Sequence, residues 1–186
     1  MLTPQWRDEV WAQLAQPWDL IIIGGGITGA GILREATRLG LKALLVEQRD
    51  FAWGTSSRSS KLVHGGIRYL KEGKVRLTLT SVQERERLME EGPGLIDPLG
   101  FLLATYKGDF PGKWTYGAGL TVYDLLALQW SHTYYSTTDF ELLAPRITPK
   151  GLQGGWRYGD AQTDDARLVL RVIFEALADG GAALNY

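Results

Sequence analysis

Asp19-Leu20-Ile21-Ile22-Ile23-Gly24-Gly25-Gly26-Ile27-Thr28-Gly29 is the stretch whose reading decides the fold. A short apolar, β-branched run enters a glycine triplet, and a helical pattern opens behind it. In that strand–turn–helix context a G-x-G-x-x-G spacing acquires physical meaning. Gly24 turns the chain off the strand, Gly26 leaves its backbone bare to a pyrophosphate, and Gly29 lets helix and strand pack closely. The N–H groups at the helix start, Ile27 and Thr28 among them, face the phosphates with the positive end of the helix dipole behind them. Residues 41–47, Leu-Lys-Ala-Leu-Leu-Val-Glu, read as a second strand that ends in an acid. Glu47 stands 21 residues beyond Gly26, where a carboxylate can accept hydrogen bonds from an adenosine ribose. Strand, glycines, helix, strand and acid follow the order of a dinucleotide-binding unit. The expected class is α/β and Rossmann-like. The motif by itself does not separate a flavin from a nicotinamide dinucleotide.

Residues 51–70, Phe-Ala-Trp-Gly-Thr-Ser-Ser-Arg-Ser-Ser-Lys-Leu-Val-His-Gly-Gly-Ile-Arg-Tyr-Leu, carry the next layer of information. Thr55, Ser56, Ser57, Ser59 and Ser60 offer small hydroxyls that reach phosphate and ribitol oxygens. Gly65 and Gly66 permit close approach of a flat ring system to the main chain. Between Arg58 and Arg76 six basic residues stand against one acid, Glu72, a local positive field in a chain of formal net charge -1. Arg68 is the candidate to hold a phosphate, because a guanidinium presents a planar fork of donors. Tyr69 adds a neutral hydroxyl beside it. Lys71, Lys74 and Arg76 read as a solvated helix face.

The same segment resembles the signature of FAD-dependent glycerol-3-phosphate dehydrogenases, T-S-S-x-S-S-K-L-[IV]-H-G-G-[IL]-R-Y-L, with every fixed position present. The resemblance runs from Asp19 through Leu70 and resumes at Tyr158-Gly159-Asp160 and Asp164-Asp165-Ala166-Arg167-Leu168. Between them a Tyr123-Asp124 pair is the one matching feature. The resemblance implies a glutathione-reductase-type flavoprotein fold and FAD as cofactor. It places Gly24, Gly25, Gly26, Ile27, Thr28, Gly29, Glu47, Thr55, Ser56, Ser60, Lys61, Leu62, His64, Gly65 and Gly66 at the cofactor, and Arg68 and Tyr69 at the substrate. The implied reaction oxidises sn-glycerol 3-phosphate to dihydroxyacetone phosphate and passes electrons to a quinone, or to oxygen in oxidase relatives. No residue is assigned as catalytic base; His64 is read as shaping the flavin loop. One departure stands out: FAD-binding versions place a small residue four positions after the third glycine, and this chain has Leu33 there.

The chain has 186 residues, with 45% hydrophobic and 22% charged residues, as in an ordinary globular protein. It contains no cysteine and two histidines, His64 and His132, which excludes disulfides, thiolate metal sites and a cysteinyl flavin link. No metal site is expected. With 20 basic and 21 acidic residues nothing points to nucleic acid. No apolar run approaches the ~20 residues of a membrane span, and the N-terminus lacks a signal-peptide plan. The expected location is the cytoplasm, with peripheral attachment to the inner face of the cell membrane and a homodimer both left open.

The pattern predicts a helix over 4–16, with Thr3 as N-cap and Pro4 as first residue. It also predicts helices over 74–91, 116–130 and 165–178, and strands over 99–106 and 152–158. Thr163 or Asp164 caps the last helix, and Asp165 favours its dipole. The expected division is an N-terminal helix at 1–18, an FAD-binding unit at 19–98 and a partial substrate-domain region at 99–186. The final residues 182–186 read as a strand beginning, and with the resemblance this implies the N-terminal portion of a longer enzyme, inactive alone. Two other readings stay open: a non-catalytic nucleotide-binding remnant, and a related glycerol-3-phosphate or amine oxidase.

Overall fold

The computed structural model describes residues 5–186, with the side chain of Lys71 excepted. In chain order the elements are α1 (Trp6–Gln13), β1 (Leu20–Ile23), α2 (Ile27–Arg38), β2 (Ala43–Glu47), a 3-10 turn (Thr55–Ser57), β3 (Leu62–Val63), α3 (Ile67–Lys71), α4 (Val75–Glu91), β4 (Ile96–Tyr106), α5 (Lys113–Ala127), β5 (Thr133–Tyr135), α6 (Thr137–Leu143), β6 (Leu152–Thr163), α7 (Asp165–Ala178) and β7 (Ala182–Asn185). The described residues form two compact units, one of residues 5–61 with 164–186, the other of residues 62–163. Where the sequence pattern draws a boundary between 98 and 99, the chain leaves the first unit after Lys61 and returns at Asp164. The return is fixed by pairing: β7 lies parallel beside β2, Leu45 opposite Ala183, so the last helix and strand join the first unit.

The first unit is built on the parallel sheet β1-β2-β7. One face buries Ile22, Ala43, Leu45 and Ala183 against Ala30, Leu33 and Ala36 of α2 and Val169, Ile173 and Ala176 of α7. The other face buries Leu44, Ala182 and Leu184 with Val10 of α1. Leu33, the departure from the small-residue pattern, is fully buried in the main cluster. The volume between helix and sheet is therefore filled by the leucine, with Gly29 and Ala30 supplying the close approach one turn earlier. The expected cap and first residue of α1, Thr3 and Pro4, lie outside the described residues.

The second unit has the antiparallel sheet β3-β6-β4, with β5 also paired to β6. The strands β4 and β6 are longer than their apolar patterns suggest, because their register runs from Ile96 opposite Thr163 to Tyr106 opposite Leu152. Against the expected helix over 116–130, α5 spans Lys113–Ala127, starting behind an extended Gly112 and stopping at Leu128 in the left-handed region at φ 51°. The aromatic residues between positions 101 and 140 split by depth. Tyr123 and Phe140 are fully buried, while Phe110, Trp114 and Trp130 are exposed.

Candidate functional site

In the first unit the glycine turn is stapled to the end of β2. Gly24 takes φ +111°, a conformation that favours glycine, and its N–H donates to the Val46 carbonyl at 2.8 Å. The next N–H, of Gly25, donates to Glu47 Oε2 at 2.7 Å, and the other carboxylate oxygen accepts from the Arg49 N–H at 2.8 Å. Each oxygen of a carboxylate has about two acceptor sites, so Glu47 keeps capacity for further donors. A Cβ on Gly29 would collide with the Gly24 carbonyl, which is the close helix–turn packing the motif predicts. Gly26 is the extended N-cap of α2, and Ile27 and Thr28 open the helix. The Ile27 N–H donates to Ser56 Oγ at 2.9 Å, bringing the serine-rich turn onto the helix start. The Ile27 N–H is thus taken by Ser56 rather than turned to the phosphates as expected. The helix-start N–H groups beyond it, Gly26 without a side chain and an acid beside the turn fit the pyrophosphate and ribose of a dinucleotide.

Thr55 and Ser56 sit in the 3-10 turn, and Ser60 is exposed after it. Lys61 takes a left-handed φ of 58°, unusual for a lysine. Its Nζ lies 2.6 Å from Asp165 Oδ1, and Ser59 Oγ donates to Asp165 Oδ2 at 2.7 Å. The hydrogen bond from Lys61, then that from Ser59, holds the Asp165 carboxyl down at about 2. Asp165 was expected to act on the helix dipole alone; its carboxylate is also the anchor of the serine–lysine loop. Asp164 is the cap, accepting from the Arg167 N–H at 3.2 Å.

The remaining predicted residues, Leu62, His64, Gly65, Gly66, Arg68 and Tyr69, belong to the second unit. His64, Gly66, Arg68 and Tyr69 line one cavity of about 280 Å³ together with Phe101, Tyr158 and Asp160. Phe101 and Tyr158, opposite each other in β4 and β6, stack at 5.3 Å and make an aromatic wall. The Arg68 side chain is 81% exposed, and its Nε is 3.9 Å from Glu72, too far for a hydrogen bond. Its guanidinium is thus available to an anion. Gly65 has a further reason to be a glycine: a Cβ there would overlap Val82 and the Tyr123 hydroxyl.

Sequence reasoning missed Arg85, which sits in the run Glu84-Arg85-Glu86-Arg87 and resembles a solvated face. It is 4% exposed and pairs with Asp160 at 2.7 Å. Its signal was phase: Thr78, Val82 and Arg85 repeat at helical spacing on the buried side of α4. A second polar cluster lies nearby in the unit. His132 Nδ1 is 2.6 Å from Asp124 Oδ2, and Ser131 Oγ donates to Asp124 Oδ1 at 2.8 Å. Burial alone would raise the Asp124 carboxyl, but the donors from Ser131 and His132 outweigh it and hold it low. Among the described residues no three His, Asp or Glu side chains are grouped as metal ligands.

Comparison with known proteins is consistent with this geometry. Residues 19–186 match the family described as FAD dependent oxidoreductase. The aerobic glycerol-3-phosphate dehydrogenase of Staphylococcus aureus (strain USA300) is 45% identical over 172 residues, 91% of this chain and 31% of that protein. The crystal structure of the glycerol-3-phosphate dehydrogenase from Bacillus halodurans complexed with FAD superposes with TM-score 0.73 at 33% identity, covering 100% of this chain and 30% of that one. The L-alpha-glycerophosphate oxidase of Mycoplasma pneumoniae, at 16% identity and TM-score 0.66, shares the fold. The chain thus spans about a third of the length of the dehydrogenases it matches.

Proposed function

The chain belongs to the FAD dependent oxidoreductase family, and from that premise we propose that it is the N-terminal part of an enzyme oxidising sn-glycerol 3-phosphate to dihydroxyacetone phosphate. Electrons then pass to a quinone-type acceptor. FAD supplies the hydride-accepting chemistry. The chain's own residues do the holding. Gly24–Gly29 present the bare turn and helix-start N–H groups to the pyrophosphate, and Glu47 accepts from the adenosine ribose. Thr55, Ser56, Ser60 and Lys61 supply donors to the cofactor's oxygens, and Leu62, His64, Gly65 and Gly66 the backbone beside its ring. Arg68 and Tyr69 bind the substrate phosphate, the guanidinium as a two-pronged donor and the phenol as a neutral one. The Phe101–Tyr158 wall gives the same cavity an apolar side. Among the described residues no helix is long and apolar enough to cross a membrane. A peripheral place on the inner face of the cell membrane would suit a quinone acceptor.

The observation that supports the substrate reading is an exposed guanidinium, Arg68, only loosely paired with Glu72, at the cavity that also holds Tyr69. Hydrogen bonds to a charged group are worth about 1.5–3 kcal/mol. In the intact enzyme Arg68→Ala therefore raises KM for the phosphorylated substrate roughly ten- to a hundredfold with FAD still bound. Arg68→Lys recovers part of the loss, since an ammonium keeps the charge without the fork. Loss of FAD with an unchanged KM would move Arg68 to the cofactor site and overturn the substrate reading.

A further inference from the structure

Two side chains from separate elements of the second unit and one backbone N–H converge on a single carboxylate oxygen of Asp160. Arg85 of α4 donates from Nη1 to Asp160 Oδ1 of β6 at 2.7 Å and to the Tyr123 hydroxyl of α5 at 3.0 Å. The Tyr123 hydroxyl donates to the same carboxylate oxygen at 3.2 Å. The Gly65 N–H completes the set at 3.1 Å. Arg85 and Asp160 have side chains only 4% and 3% exposed, and Tyr123 is wholly buried. Burial, then the Asp160 charge, pushes the Tyr123 phenol upward, so it stays a donor. Burial would lower the Arg85 guanidinium, but its bonds to Asp160 and Glu86 with the neighbouring charges together outweigh that and keep it charged.

The placement of Gly65 is the unusual part. A side chain there would overlap the Tyr123 hydroxyl and Val82, so a glycine is what allows the main chain to reach the carboxylate. Gly66 follows with φ +70° and is the N-cap of α3, and its carbonyl accepts from the Tyr69 N–H at 2.8 Å. Arg68 and Tyr69 are the second and third residues of that short helix. Five residues cannot hold a helix in place by their own hydrogen bonds, because nucleation is unfavourable and few bonds follow it. The position of α3 is therefore set by the elements it packs against, α4 and α5, and by the turn that lies immediately before it.

We propose that the Arg85–Asp160–Tyr123 cluster is a positioning device that pins the Gly65–Gly66 turn and thereby holds Arg68 and Tyr69 at the cavity for the substrate phosphate. It rests on the reading of Arg68 as the phosphate contact. An apolar core at this point would leave the Gly65 N–H buried and unpaired. A charge-assisted acceptor fixed by two further donors ties that N–H to a defined place. Asp160 itself lines the cavity, so the anchor and the anion contact share one wall.

The test uses the intact flavoenzyme and compares Tyr123→Phe, Arg85→Lys and Arg68→Ala. Tyr123→Phe deletes one hydroxyl and keeps the ring. It is expected to raise KM for sn-glycerol 3-phosphate roughly five- to twentyfold, with kcat within about twofold and bound FAD unchanged. Competitive inhibition by inorganic phosphate should weaken by the same factor. Arg85→Lys, which keeps the charge, should give a smaller rise in the same two quantities and serves if the phenylalanine variant does not fold. A fall in melting temperature with KM and phosphate inhibition unchanged would make the cluster core packing alone and overturn the proposal. Should Arg68→Ala raise KM while neither cluster variant does, positioning falls and the substrate reading stands. If Arg68→Ala leaves KM unchanged, the substrate reading falls and takes this device with it.

Discussion

The two units are stabilised in different currencies of contact. The first unit's main core is aliphatic: Ile22, Leu33, Leu45, Val169 and Ile173 fill the space between a parallel sheet and two helices. The second unit buries Thr78, Arg85, Thr105, Asp124, His132 and Asp160 beside its apolar residues. An aliphatic core is specified by volume and pattern, and it accepts swaps that conserve both. A polar interior is specified by partners. Each group has been taken from water and is compensated by particular neighbours, so losing one strands another. The first unit can therefore vary at single core positions with graded cost, whereas the second depends on pairs that must change together.

That contrast can be broken by single deletions. Asp160→Ala leaves buried Arg85 with Glu86 as its remaining ion partner and strands the Gly65 N–H, and should cost about 3–5 kcal/mol of stability, read as a lowered urea midpoint. Replacing Arg85 and Asp160 together by Met and Leu should recover most of the loss. A double variant no better than the single would show that volume, not pairing, governs this interior. Leu33→Ala in the first unit should cost about 2–5 kcal/mol by leaving a cavity, while Leu33→Met costs less than about 1.5 kcal/mol. Equal losses for both would contradict a core specified by volume.

Glu47→Gln sharpens the comparison at the cofactor turn, where one carboxylate ties the glycine turn to the end of β2. It keeps the side-chain shape and removes the charge that strengthens bonds to the Gly25 N–H and to a ribose. FAD affinity should fall by about 1–2 kcal/mol, measured by flavin fluorescence titration. Unchanged affinity would remove Glu47 from the ribose site.

The smallest effect is expected from acid. Asp165 is held at about 2 by Lys61 and Ser59, below the ~3.9 of a free aspartate. A lowered folded-state value means stability that is present above pH ~4 and lost as pH falls toward about 2. Asp165→Asn should flatten that part of the stability–pH curve, losing stability at neutral pH, where the wild-type carboxylate is ionised, and little near pH ~2. An identical acid slope in the variant would show that the loop anchor contributes nothing to folding.

How far each feature was legible followed from the range of the forces involved. The glycine turn, Glu47 and α2 are local in sequence, and their spacing is set by a helix rise and a strand end, so residues 19–47 predict the turn that the structure contains. The helix over 165–178 and its Asp164 cap are equally local. The helix α3 escaped the pattern because its five residues lie inside a glycine-flanked signature and carry no periodicity to read. Helix α6 and strand β5 escaped for the same reason of length. Arg85 escaped because its neighbours in sequence are all charged, while its partner lies 75 positions away.

The amino-acid sequence by itself determined the dinucleotide turn, the α/β class and the family resemblance, because each depends on residues within a few turns of one another. Tertiary structure decided which of those residues have second duties. Gly65 is a glycine to make room for Tyr123 and Val82, Asp165 is a loop anchor as well as a helix-start acid, and the return of α7 and β7 to β2 defines the first unit. Those outcomes rest on contacts between segments far apart in the chain, where hard-sphere exclusion and the need to pair every buried charge act, and neither leaves a spacing for a sequence to display.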